Sequence, residues 1–215
     1  MWAKLKFLTA FIILLSYMAA AGHSDTNEKQ KNIVAKKVIK VRGVFIPSIG
    51  AKSPSLIIIV YTDCLCPACY ETLRYLNNVS KRYKSIRIVY KELPIHGKLS
   101  IDCSAMALAA HAQRKYWAFK SSAEQYFKNL SGQAIPNCWT PAIRAGLNIN
   151  MVKKIINNKY VMQELKENFD EIKTFVSDPD TPMIIVGKTV IKGDLSKDKL
   201  ESIIKKELYE KTCSY

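Results

Sequence analysis

"SLIIIVYTDCLCPACYETL", residues 55–73, decides how the chain is read. Its first part, "SLIIIVYT" (55–62), is a continuous β-branched run, the pattern of a strand buried on both faces. Just after Cys66 the period changes: Leu73, Leu76, Val79 and Tyr83 trace one stripe of a helix. Cys66-Pro67-Ala68-Cys69 therefore stands where a buried strand ends and a helix begins. Cysteines three apart at a helix start share a face and can close a disulfide without large distortion. The first sulfur lies near free backbone N–H groups and the positive end of the helix dipole. Both favour its thiolate and make it the attacking or leaving group. Pro67 suits the first turn because it has no N–H to leave unpaired. Cys69, expected to be the more buried sulfur, can resolve a mixed disulfide. Cys64 adds a third cysteine within six positions, so a rival reading is a thiolate metal site. That reading lacks a nearby fourth ligand, since the histidines are His23, His96 and His111.

Outward from this stretch, "IRIVYKEL" (86–93) reads as a second buried strand, which completes a βαβ unit with parallel strands. Residues 33–45, rich in Val and Ile, are expected to supply an edge strand. From about 100 to 177 only helical patterns appear. One is a small-residue face (Ala105, Leu108, Ala109, Ala112), and a second is Phe119, Ala123, Tyr126, Phe127 and Leu130. A short helix holds Val152, Ile155 and Ile156, and a longer one Val161, Leu165, Phe169, Ile172 and Val176. "SDPDTP" (177–182) breaks the last of these. "MIIVG" and "KTVIKG" then read as a hairpin turning at Gly187-Lys188, followed by a helix from near Ser196 carrying Leu200, Ile203, Ile204 and Leu208.

The N-terminus has a positive region (Lys4, Lys6), a short apolar run (Phe7 to Met18) and small residues Ala19 to Ala21. This is the form of a secretory signal peptide cut after Ala21, and the run is short for a membrane span; an uncleaved anchor is the alternative. Export would place the chain where disulfides persist. The net charge of +15 raises nucleic-acid binding, but the lysines are scattered and no nucleic-acid motif is present, so a solvated basic surface is the expectation.

"YTDCLCPACYETL", "IRIVYKELPIHG", "SAMALAAHAQRKYWAF" and "DTPMIIVGKTVIKG", in that order and spacing, resemble the DsbA-like thiol–disulfide oxidoreductases from about residue 55 to 208. The resemblance implies an α/β thioredoxin fold with an inserted α-helical domain. The parts are then a signal peptide (1–21), a flexible lead-in (22–32), the first thioredoxin half (33–95), the helical insertion (96–178) and the second half (179–215). It implies a cis Thr181-Pro182 bond facing the cysteines, with the Thr181 backbone beside Cys66. It also implies Cys66 as nucleophile, Cys69 as resolving cysteine, and no cofactor or metal beyond the redox disulfide. The implied partners are unfolded exported proteins and a membrane thiol oxidase that reoxidises the pair; a monomer without nucleic acid is expected.

Two departures bear on tuning. Many strongly oxidising relatives carry histidine where this chain has Ala68, so a milder oxidant with a less acidic Cys66 is expected. Many carry an acid six positions before the first cysteine, where this chain has Val60. Thr181 also occurs in isomerases of the group, which keeps isomerase or reductase activity as an alternative. The remaining cysteines, Cys64, Cys103, Cys138 and Cys213, allow three pairings. A structural disulfide between Cys103 and Cys138 is favoured because both fall in the helical block, with Cys138 in a loop reaching a helix start at Cys103. Cys64 and Cys213 could pair, or Cys213 could stay free, and Cys64 stands close enough to tune the site. His96 reads as a loop or cap residue, His111 as a packed one. Trp117 and Phe119 read as core, and Tyr61 and Leu65 as packing residues or apolar contacts for substrate.

Overall fold

A computed structural model describes residues 39–130, 136–193 and 196–212. The signal-like segment, the lead-in and Cys213 lie outside the described residues. In chain order the elements are β1 (Ser48–Gly50), β2 (Leu56–Thr62), α1 (Pro67–Arg82), β3 (Ile86–Glu92), α2 (Gly97–Ala112), α3 (Tyr116–Lys128) and α4 (Trp139–Arg144). They continue with α5 (Ile149–Ile156), α6 (Lys159–Lys173), β4 (Met183–Val186), β5 (Thr189–Lys192) and α7 (Lys197–Thr212).

The sheet order is β1-β3-β2-β4-β5. β2 runs parallel to β3 and antiparallel to β4, so the most apolar strand sits at the centre. Alternation of side chains then sends two apolar rows to opposite faces. Leu56, Ile58 and Val60 meet Leu73, Leu76 and Val79 of α1, together with Ile204 of α7. Ile59 and Tyr61 meet Ile172 of α6 and Phe175 on the other face. Full burial of one such side chain contributes about 1.5–3 kcal/mol, which is why a two-faced run prefers the middle of a sheet. α2 is buried from Cys103 through Ala110, and its small side chains let other helices pack closely around it.

Three expectations need correction. The edge strand is Ser48–Gly50, antiparallel to β3; of the expected 33–45, residues 39–45 form no strand and 33–38 lie outside the described residues. Ile39 and Val41 instead pack against the cluster around Tyr61 and Ile172. Their β-branched character served burial rather than pairing. At Gly50 a Cβ would come 2.2 Å from the Ile86 carbonyl oxygen, so close edge pairing favours glycine there. Phe169 lies outside the α6 core stripe and is 36% exposed. Cys103 is not at a helix start: α2 begins earlier, at Gly97, and Cys138 stands at the N-cap of the short helix α4.

Candidate redox site

The loop that bears the cysteines is built from the end of β2. Asp63, fully buried, accepts hydrogen bonds from the Leu65 amide (2.8 Å), the Ile95 amide (2.9 Å) and the Ser100 hydroxyl (2.5 Å). His96 Nδ1 lies 2.8 Å from the same carboxylate. Burial alone would raise the Asp63 pKa. The hydrogen bonds from Leu65, Ser100, His96 and Ile95 outweigh it and hold the carboxyl below its ordinary value. One side chain thereby ties the loop before Cys66 to the segment entering α2. The Tyr70 hydroxyl donates to the Cys64 carbonyl at 2.6 Å and anchors the same loop from α1.

Cys66 occupies the N-cap of α1, with Pro67 following in the first turn. Its sulfur is bonded to Cys69 and lies 3.1 Å from the Cys69 amide nitrogen. Cys69 is 1% exposed and Cys66 5%. The Thr181-Pro182 bond is cis, and the Thr181 carbonyl oxygen lies 3.4 Å from Cys66 Sγ. The structure thus brings together Cys66, Cys69, Pro67, Ala68, Thr181 and Pro182 from elements far apart in sequence. Pro67 is exposed and Ala68 half-buried, so the two residues between the cysteines present a small apolar surface.

Cys64 departs from this group. It is fully buried and free, and its sulfur faces the core. The thiol donates to Glu92 Oε2 at 3.7 Å and accepts from Lys120 Nζ at 3.4 Å. Burial pushes its pKa up, which outweighs the pull of Lys120 and keeps it a thiol. Around it lies a polar cluster. Lys120 Nζ is 3.2 Å from Glu92 Oε1, Tyr116 donates to Glu92 Oε1 at 2.6 Å, and Ser104 to Oε2 at 3.2 Å. Burial works against the Lys120 charge; its neighbours Cys64 and Glu92 outweigh it and hold the ammonium charged, above its ordinary pKa. A three-thiolate site would need Cys64 to converge on Cys66 and Cys69, but its sulfur is committed to Lys120 and Glu92.

Cys103 and Cys138 form the second disulfide, within the helical block. Tyr61, read as a packing residue or a substrate contact, is 0% exposed and donates to Glu171 Oε1 at 2.5 Å, so it packs only. Leu65 is half-buried within the loop itself. His111, partly buried, stacks edge-on with Tyr116. Sequence reasoning missed Glu92, Lys120, Tyr116 and Ser104. A signal was present for Lys120: positions 116, 119, 120 and 123 are the buried residues of α3, so a lysine sat on the core stripe.

A family described as thioredoxin matches residues 46–206. No curated protein matches the chain. Among solved structures, a Proteus mirabilis ScsC linker-deletion mutant superposes with a TM-score of 0.72 at 21% identity, covering 97% of this chain and 96% of that one. A thiol-disulfide exchange protein from Wolbachia pipientis, alpha-DsbA2, has a TM-score of 0.71 at 16% identity, covering 84% and 96%. A thioredoxin-like oxidoreductase from Silicibacter pomeroyi has 0.65 at 22%, covering 75% and 91%. These likenesses bear out a thioredoxin fold with added helices.

Proposed function

The chain belongs to the thioredoxin family, and from that premise we propose that it is an exported protein thiol–disulfide oxidoreductase that introduces disulfides into other exported proteins. The observation that carries the reading is Cys66: at the N-cap of α1, bonded to Cys69, with the Thr181 carbonyl facing it before a cis proline.

In the reaction a substrate thiolate attacks Cys66 Sγ and the Cys66–Cys69 bond breaks. Its electron pair leaves on Cys69, which then takes a proton. A second substrate thiolate attacks the substrate sulfur of the mixed disulfide, and Cys66 leaves as thiolate. Two electrons pass from two substrate thiols to the pair. The Cys69 amide, 3.1 Å from Cys66 Sγ, and the start of α1 stabilise the leaving thiolate. The Thr181 backbone offers an extended substrate segment a place to pair. The missing histidine at Ala68 favours a milder oxidant. Reoxidation then requires a membrane thiol oxidase. Support for the compartment comes from the signal-like N-terminus and from a structural relative described as periplasmic, from Salmonella enterica.

The test pairs the reduction potential of the protein with refolding of reduced and of scrambled substrates. Rapid oxidation without unscrambling, abolished in Cys66→Ser, is expected. Efficient unscrambling would move the protein to the isomerases, an outcome that Thr181 keeps in view. Oxidation by Cys66→Ser at the native rate would sink the assignment.

A further inference from the structure

One surface of the helical block takes no part in the redox site. Between Glu124 and Glu164 the sequence has no acidic residue, yet it carries Lys128, Arg144, Lys153, Lys154 and Lys159. The turn after α2 adds Arg114 and Lys115. The fold gathers part of this charge on one edge. Lys115 Nζ bonds the Gly146 carbonyl, and Gln113 exchanges hydrogen bonds with the Asn148 backbone. Asn148 then caps α5 by accepting from the Met151 amide at 3.0 Å. Opposite its buried Val152, α5 presents Asn150, Met151, Lys153, Lys154 and Asn157, all exposed and none acidic. Ile143, one turn before Gly146, is 62% exposed, and Met151 is 45% exposed.

Several exposed lysines elsewhere sit beside a carboxylate, as in Lys98–Asp102, Lys166–Asp170 and Lys206–Glu210, while others, such as Lys81, Lys84 and Lys199, have no ion pair among the described residues but lie outside this acid-free stretch. Among the described residues, no ion pair engages Arg114, Lys115, Arg144, Lys153 or Lys154; Lys115 meets only the Gly146 carbonyl, and the Arg144 guanidinium lies 5.8 Å from the centroid of the half-buried Tyr126 ring. Unopposed cations within a screening length of one another repel, and an outside anion relieves that repulsion. Exposed aliphatic side chains among such cations match the boundary between phosphate headgroups and acyl chains. A nucleic acid would offer phosphates but no apolar layer, and its usual stacking platform of exposed aromatics is not what this edge presents.

We infer that this edge, formed by the turn after α2, the end of α4 and the exposed face of α5, docks on an anionic phospholipid surface. Ser100, near the start of α2, holds the active-site loop through Asp63, whereas Gln113 follows the other end of the same helix. At 1.5 Å per helical residue the edge lies about 20 Å from that clamp. A docked molecule therefore keeps Cys66 open to exported chains while staying near the membrane. The inference stands apart from the redox reading, because none of these residues touches the cysteines.

The test is co-sedimentation of the protein, prepared without residues 1–21, with vesicles of phosphatidylglycerol and phosphatidylcholine or of phosphatidylcholine alone. Binding to the anionic vesicles only is expected. Reversal of Arg144, Lys153 and Lys154 to Glu should weaken it by about tenfold or more, since each basic residue near the surface contributes separately. The same charge change at Lys81, Lys84 and Lys199, on α1, its following loop and α7, should alter binding by about twofold or less. Ile143→Ser with Met151→Ser should weaken it several-fold, with far-ultraviolet circular dichroism verifying the fold of each variant. Equal losses from both charge sets would reduce the effect to net charge and overturn the inference. So would an absence of vesicle binding, or tight heparin binding that ignores Ile143 and Met151 while vesicles stay unbound.

Discussion

The two buried ion pairs at the end of β3 invite comparison, because adjacent residues of one strand create them. Glu92 faces α3, where Lys120 meets it; Lys91 faces α6, where Glu171 lies 2.5 Å from its Nζ. Alternation along the strand sends an anion to one face of the sheet and a cation to the other. The helical block answers each with the opposite charge. The pairs are not equal. Glu92 and Lys120 are 0% and 2% exposed at the side chain and share their surroundings with the Cys64 thiol, Tyr116 and Ser104. Glu171 is 18% exposed and keeps a second donor in Tyr61. Charge buried beyond the reach of water depends entirely on its protein partners; charge near water does not.

The sharpest way to break the comparison is Lys120→Met. It strands Glu92 in the core and is expected to cost about 3–5 kcal/mol of stability in urea unfolding. Glu92→Gln combined with Lys120→Met should recover part of that loss, since no uncompensated charge remains. A cost below about 1 kcal/mol for Lys120→Met alone would show that water reaches this cluster. Lys91→Met is expected to cost less, about 1.5–2 kcal/mol, because Tyr61 and solvent still satisfy Glu171. If the two single variants cost the same, the difference in burial does not control the energetics.

A third effect is smaller and depends on pH. Asp63 has a folded pKa below its ordinary value. Its contribution is complete above the unfolded-chain value of about 3.9 and is lost as pH falls through the lower folded value. Stability should therefore decline toward acid. Asp63→Asn should start lower at neutral pH and show a flatter acid limb when unfolding is followed from about pH 6 to about pH 2. An unchanged acid limb would mean that this carboxylate does not contribute to the decline.

Features carried by local pattern were legible beforehand. The apolar run Leu56–Thr62, the cysteines at its end and the Gly187-Lys188 turn each declare themselves within a few residues. The cis Thr181-Pro182 bond was reached by resemblance, since nothing in "DTP" alone distinguishes it from an ordinary turn. The polar cluster was not legible because Cys64, Glu92 and Lys120 lie on three separate elements, and only tertiary packing joins them. No acid stands at Val60; Glu92, on the neighbouring strand in register with Thr62, two positions further along, meets Cys64 and Lys120 instead. The edge strand was misplaced because β-branched residues mark burial as readily as pairing.

The central strand has one further consequence, for a chain made from its N-terminus onward. On one side Ile58 pairs with Ile88, available soon after synthesis of β2; on the other it pairs with Val186, which follows the whole helical block. Until β4 arrives, one edge of the most apolar strand is an open template for any neighbouring chain. The wall that carries Thr181 arrives with it. A polypeptide halted before that point would carry both cysteines of the redox pair beside an adhesive edge, and escorts that shield nascent chains in transit would have their reason to act there.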